Sequence, residues 1–187
     1  MNPSTEDMLN AIDRVNADTI YIFPNNKNII LAANQARDLT EDKKIVVIPT
    51  KTIPQGISAM ISYVPEKSLA ENVEAMTEGI EAVKTGQITY AVRDTRLDEK
   101  DIHQGDMMGI GDKGILAVGK EVESVALDTI SQLVDSDSEI ISLYYGEETS
   151  EEQAKELAEK LEELYGDCDV EVNYGGQPIY YYVISVE

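Results

Sequence analysis

The chain has 187 residues, 42% of them apolar and 27% charged, a composition suited to one folded domain or two tightly packed halves. Thirty-six acidic residues against 15 basic ones leave a formal net charge of −21, which disfavours nucleic acid and anionic lipid surfaces and favours a protein partner with a basic patch. No apolar run reaches the roughly 18 residues of a membrane helix, the first seven residues lack a signal-peptide pattern, and one cysteine, Cys168, with one histidine, His103, leaves neither an internal disulfide nor a Cys/His zinc cluster; these features fit a cytoplasmic address.

Ser4-Thr5-Glu6-Asp7 reads as a capping box that opens a helix, with Met8, Ile12 and Val15 on one face. Thr19 to Phe23 is a short apolar strand, broken by Pro24-Asn25-Asn26, and Asn28 to Asp38 is the next helix. Lys44 to Ile48 reads as a second strand, ended by Pro49, and Pro54 introduces a helix over Gln55 to Ser62. This alternation implies a parallel sheet. A longer helix spans about Ser68 to Lys84, where Gly86 stops it.

The texture then changes. Gln87 to Arg93 alternates as a strand, and Met107–Ile110 and Ile115–Val118 flank Gly111-Asp112-Lys113-Gly114, which predicts a β-hairpin. Beyond Lys120 the α/β alternation returns: a helix with Val122, Val125, Ala126, Ile130 and Leu133 on one face, a strand from Glu139 to Tyr145, and a capped helix with Ala154, Leu157, Ala158, Leu161 and Leu164 on one face. Asp169 to Tyr174 and Ile179 to Val186 are the last strands, separated by Gly175-Gly176-Gln177-Pro178; the final one is apolar on both faces and belongs inside the sheet. The fold expected is mixed α/β: two small α/β halves, about 1–85 and 120–187, with largely parallel strands, joined by a β-hairpin-containing insert at about 86–119.

Catalytic machinery is not legible. No phosphate-cradling Gly-x-x-x-x-Gly-Lys-Ser/Thr loop and no Gly-x-Gly-x-x-Gly fingerprint occur. Asp94, Asp101, Asp106 and Asp112 fall in one loop-rich stretch, where turn and cap roles are commoner for aspartate than magnesium binding. No catalytic residue and no metal ligand are assigned. The Glu-rich run from Glu147 to Glu163 reads as the wet face of an amphipathic helix.

Three polar clusters fall at strand ends. Asn25, Asn26 and Asn28 follow the first strand, the usual place for ligand contacts in an open α/β sheet, although amides there also cap helices. Thr50, Lys51 and Gln55 follow the second strand, side by side with the first loop if the two strands are parallel neighbours. Arg93, Asp94 and Arg96 concentrate two of four arginines on an acidic chain, with His103 and Asp106 shortly after; they form either an interface or an internal Arg93–carboxylate pair that fixes the loop.

At these residues the sequence resembles a known family. Pro24-Asn25-Asn26-Lys27-Asn28-Ile29, Ile48-Pro49-Thr50-Lys51-Thr52-Ile53-Pro54-Gln55-Gly56, Tyr90-Ala91-Val92-Arg93-Asp94-Thr95, Ile102-His103-Gln104-Gly105-Asp106 and Tyr174-Gly175-Gly176-Gln177-Pro178-Ile179-Tyr180 are similar, in order, to strings of the catalytic component of fatty acid kinase, which is of Dak type. The likeness runs from Asn10 to Glu187. It implies a carboxyl-terminal, partner-binding domain, similar in outline to the DegV-like fold, with Met1 at a domain boundary rather than a natural start. It further implies that ATP and magnesium belong to a separate amino-terminal domain, with no cofactor in this one. The implied partners are the fatty-acid-binding protein of the kinase system and the kinase's other domains; the resemblance also leaves room for a homodimer of the full-length protein. A lipid- or small-ligand-binding role for the chain itself stands as the alternative.

Overall fold

Alternation of side chains along two parallel strands organises the first unit of the chain. The computed structural model describes residues 2–97 and 100–187, which divide into two units, Met1–Val83 and Lys84–Glu187. In the first, β1 (Thr19–Ile22) pairs in parallel with β2 (Lys44–Val47), Ile20 opposite Ile45. Ile20, Ile22, Ile45 and Val47 face one cluster, built on Met8 and Ile12 of α1 (Thr5–Arg14) and Ala33 and Ala36 of α2 (Ile30–Leu39). Tyr21, Phe23, Val46 and Ile48 face the other, with Ala59 of α3 (Ile53–Ile61) and Met76 and Ile80 of α4 (Leu69–Ala82). The period of two that marks a strand thus divides the apolar set between two helical layers. The expected capping box is present: the Ser4 hydroxyl accepts from the Asp7 N–H at 3.1 Å and the Asp7 carboxylate accepts from the Ser4 N–H at 2.8 Å.

The second unit is built on one six-stranded sheet in the order β7-β6-β3-β10-β8-β9. Its strands are β3 (Lys84–Tyr90), β6 (Met107–Gly111), β7 (Gly114–Gly119), β8 (Ile140–Tyr145), β9 (Asp169–Tyr174) and β10 (Tyr182–Val186); β4 (Thr95–Leu97) and β5 (Lys100–Ile102) form a separate antiparallel ribbon. The β6–β7 hairpin turns at Asp112-Lys113 with Gly111 opposite Gly114. Helices α5 (Val122–Ser131) and α6 (Glu151–Leu164) pack their apolar faces on the sheet through Val125, Ala126, Ile130, Leu157 and Leu161. β10 lies between β3 and β8 with every residue buried, the interior place its two apolar faces predict. The two ends of the chain are also alike in plan: β1-α2-β2 and β8-α6-β9 are both parallel β-α-β crossovers.

Three expectations shift. Parallel pairing holds for these two crossovers, while β10–β3, β10–β8, β3–β6 and β6–β7 are antiparallel, because each side of β10 is filled by a strand running the other way. Residues 86–119 are not an insert between halves: they supply β6, β7 and most of β3 to the same sheet as β8 and β10. Gly86 does not stop a helix but lies inside β3, where a Cβ would stand 2.9 Å from Thr129 Cγ2 and 3.0 Å from Leu133 Cδ1 of the α5 segment. The role of that glycine is close approach of helix to sheet. Among the described residues no helix is long and apolar enough to cross a membrane.

Candidate functional site

The carboxyl ends of β1 and β2 bring the two polar loops of the first unit together, as the parallel pairing requires. The Asn25 N–H donates to Thr50 Oγ1 at 3.0 Å, and the Thr50 hydroxyl donates to Asn25 Oδ1 at 2.8 Å. Asn25 holds φ 55°, a left-handed conformation that asparagine tolerates better than most side chains. Its amide occupies a notch left by Gly56, where a Cβ would overlap Asn25 Oδ1. Gln55 turns its carbonyl Oε1 back to accept from the Lys51 N–H at 2.8 Å, and Thr52 caps α3 by accepting from the Gln55 N–H. Thr50, Thr52 and Gln55 are buried, Lys51 and Asn28 are exposed, and Asn25 and Asn26 are half-buried.

None of the three asparagines is the N-cap of α2. That place is taken by Ile29, without a side-chain cap. Asn26 instead closes a local turn, its Oδ1 accepting from the Asn28 N–H at 2.9 Å, and the helix begins two residues later than the sequence pattern suggests. The frame is therefore rigid and internally bonded, with Asn28, Lys51 and the amide edges at its surface.

In the second unit Asp106 ties a separate cluster. Its side chain is 5% exposed; the ammonium of Lys120 pairs with one carboxylate oxygen and the His103 N–H donates to the other at 2.9 Å. These two donors, Lys120 first, hold the Asp106 carboxyl below the usual carboxylate range. Gly105, at φ 86°, completes the turn by donating to the Ala91 carbonyl. Asp94 accepts from the Gln104 N–H at 2.7 Å and stands 3.9 Å from His103 Nδ1. Arg93 is exposed, and among the described residues no carboxylate pairs with it. The internal Arg93 pair weighed from the sequence is thus replaced by Asp106–Lys120. Arg96 reaches across the β4–β5 ribbon to Asp101 at 3.6 Å, both exposed.

Comparison with known proteins decides the family. The family model for the FakA-like C-terminal region, that is, the carboxyl-terminal region of the A-like component of fatty acid kinase, matches residues 1–187. The chain belongs to that family. It is 45% identical over 187 residues to Protein YloV of Bacillus subtilis and 40% identical to an uncharacterised protein of Staphylococcus haemolyticus; both comparisons cover 100% of this chain and 34% of the relative. The chain thus spans about a third of the length of the relatives it matches. Its fold is similar to that of the Streptococcus pneumoniae fatty acid kinase B3 protein loaded with linoleic acid (TM-score 0.68, 15% identity, 99% of this chain, 76% of that one). It is also similar to a DegV family protein of Eubacterium eligens loaded with heptadecanoic acid (TM-score 0.69, 16% identity, 99% and 78%). The dihydroxyacetone kinase of C. freundii shares the fold as well (TM-score 0.65, 12% identity, 98% and 41%).

Within this family member, two features escape a reading of polar motifs. Helix α3 buries its small residues, Pro54, Gly56 and Ala59, together with Gln55, and leaves Ile53, Ile57, Met60 and Ile61 exposed, Ile61 by 78%. The signal was in the sequence: Ile53–Ile61 holds no charged residue in a chain 27% charged, so its outward face had to be apolar. The second is Ile179, exposed at φ 73° in the loop between β9 and β10. Gln177 pins that loop by donating from Nε2 to the Tyr144 carbonyl at 2.8 Å, and the Thr89 hydroxyl donates to the Ile179 carbonyl at 3.0 Å. A β-branched residue in the left-handed region has no sequence signature.

Proposed function

We propose that this chain docks a separate, fatty-acid-loaded binding protein of DegV-like kind, so that a nucleotide-binding domain elsewhere in the full-length kinase can phosphorylate the acyl carboxylate to acyl-phosphate. On this reading ATP and magnesium belong to that other domain, and the protein works in the cytoplasm. The docking surface is the α3 face of Ile53, Ile57, Met60 and Ile61 with the adjoining edge of Asn28 and Lys51; Arg93, Asp94 and His103 form a further contact region.

The observation that carries this reading is the α3 face itself. A chain of net charge −21 leaves four large apolar side chains uncovered on one nine-residue helix, and contiguous exposed apolar surface marks interaction sites. That helix is anchored at its start by the Thr50–Asn25 and Gln55–Lys51 bonds, so it presents a fixed surface. Family membership and the absence of a legible active-site constellation agree with a docking role.

Calorimetric titration of the chain with the loaded binding protein tests it. Binding at tens of micromolar or tighter, weakened about tenfold or more by Ile61→Gln with unchanged melting, is the expected outcome. No heat at that concentration overturns it. A second reading, that the chain carries lipid itself, draws on the fold likeness to lipid-loaded proteins; native mass spectrometry showing a retained acyl chain supports it, and a bare mass counts against it.

A further inference from the structure

Between the start of α5, the first half of α6 and β10, the second unit forms a partly open cavity of about 180 Å³. Three carboxylates line it, Glu123, Glu148 and Glu156, together with the apolar side chain of Leu157, and no lysine, arginine or histidine is among its lining residues. Glu123 is bridged from outside by Lys160 at 2.6 Å, and Glu148 stands beside the Tyr181 hydroxyl. Glu156 pairs with no basic group among the described residues.

A second observation is independent of the acids. Tyr182 lines the same cavity although only 3% of the residue is exposed, and no hydrogen bond from a described residue reaches its hydroxyl. Ser185 Oγ is the polar side-chain atom sealed from solvent without a partner among the described residues, so the unbonded Tyr182 hydroxyl opens onto the cavity, where a ligand can supply the partner that tyrosine hydroxyls normally find. Burial, with Glu123 and Glu156 adding to it, pushes the Tyr182 hydroxyl up to about 12, so it remains a neutral phenol whose oxygen can accept a hydrogen bond. Among the described residues no three His, Cys, Asp or Glu side chains converge closely enough for a metal ion; the spread carboxylates suit an extended organic cation with several N–H donors.

We infer that this cavity binds a primary ammonium or guanidinium group, with Glu156 and Glu123 as its anionic partners, the Tyr182 hydroxyl oxygen accepting one of its N–H bonds, and Leu157 against its methylene stem. The cation is either a free amine or the side chain of a lysine or arginine on a partner protein. The site lies in the second unit and does not depend on the α3 docking surface.

The test is an amide NMR titration of the intact 187-residue chain with n-butylammonium and n-butylguanidinium at constant ionic strength, with sodium chloride as control. Saturable shifts confined to the amides of Glu123, Thr149, Gln153 and Tyr182 are expected. Glu156→Gln should weaken the probe about tenfold and Tyr182→Phe about fivefold, as loss of a charge-assisted and a neutral hydrogen bond would. Tyr182→Phe removes a hydroxyl with no protein partner, so its melting temperature should match the parent, which keeps the comparison free of unfolding. A short arginine peptide in a second arm separates the sources: saturable binding of the peptide supports a partner's side chain, and binding of the small amines alone supports a free amine. Shifts that are linear, spread over the acidic surface, and unchanged by both substitutions would show charge screening only and overturn the site.

Discussion

Asn25 and Thr50 bond to each other twice, the Asn25 N–H donating to the Thr50 hydroxyl oxygen at 3.0 Å and that hydroxyl donating to the Asn25 side-chain carbonyl at 2.8 Å. The pair crosses from the loop after β1 to the loop after β2, so it fixes both strand ends at once. Thr50→Val keeps the shape and removes both bonds around a fully buried position. It should cost about 1–3 kcal/mol, since it leaves donor and acceptor unpaired. A urea unfolding series reads this as a lowered midpoint at unchanged slope; an unmoved midpoint would show that the pair contributes nothing to stability.

Arg93 gives the converse expectation. The residue is exposed and pairs with no described carboxylate, so Arg93→Ala should leave stability within about 0.5 kcal/mol of the parent. On the docking role proposed above, its effect should fall on the complex with the lipid-loaded binding protein, weakening it by about 2 kcal/mol or more for a central contact. Scanning calorimetry and titration calorimetry on the same preparation separate the two. A drop in melting temperature of several degrees would assign Arg93 a structural role instead.

The Asp106–Lys120 pair sets a pH dependence. The folded-state carboxyl lies below its ordinary value, with Lys120 as the largest cause and the His103 N–H next. The stabilisation is therefore fully present above the unfolded pKa of about 3.9 and is lost as pH falls through the depressed folded value. Asp7, Glu71, Asp135 and Glu151 are lowered as well, so the acid limb of the stability curve has several contributors. The difference between the parent and Asp106→Asn isolates one of them: the gap between their unfolding free energies should be constant from about pH 7 to about 5 and narrow below about pH 4. A gap that does not change with pH would mean that Asp106 is not the titrating group.

Packing of α5 on the sheet makes a fourth prediction. A Cβ on Gly109 would overlap Thr129 Oγ1 and lie 3.0 Å from Thr129 Cβ, and Thr129 is fully buried. Gly109→Ala should destabilise by about 1–3 kcal/mol through overpacking. Thr129→Ala alone removes the bond from its hydroxyl to the Val125 carbonyl and has its own cost. Combined, the two should be less damaging than their sum, by about 0.5 kcal/mol or more. Strict additivity would show that removing the Thr129 hydroxyl does not relieve the added methyl, so the strain at Gly109→Ala would not lie in its contact with Thr129.

Much of this architecture is legible in the residues themselves. The capping boxes at Ser4, Ser68 and Ser150, the Asp112-Lys113 hairpin turn and the interior position of β10 all follow from local pattern, because turn chemistry and side-chain period are encoded within a few residues. Strand direction is not local. Nothing in Tyr182–Val186 says that β3 and β8 run opposite to it; that depends on where distant segments cross. The same distinction holds at the site. The neighbourhood of Asn25, Thr50 and Gln55 follows from parallel pairing of β1 with β2, whereas the partner of Asp106 is Lys120, which a reading centred on Arg93 passes over. The α3 face is harder to read for a different reason: its large apolar side chains point outward, where apolar residues at helical spacing ordinarily mark a buried face.

The position of β10 also has a temporal consequence. Its neighbours in the sheet, β3 and β8, are complete at residues 90 and 145, yet the strand that joins them begins at Tyr182. On a ribosome adding roughly 5–20 residues per second, β3 waits on the order of several seconds with one hydrogen-bonding edge open, as does β8. Open edges recruit other strands, so the nascent chain passes through an interval in which the β3-β6-β7 and β8-β9 pieces can pair with the wrong chain. Helper proteins that shield strand edges during synthesis should therefore raise the yield of this domain, whereas refolding of the complete chain, with β10 present from the start, escapes that interval.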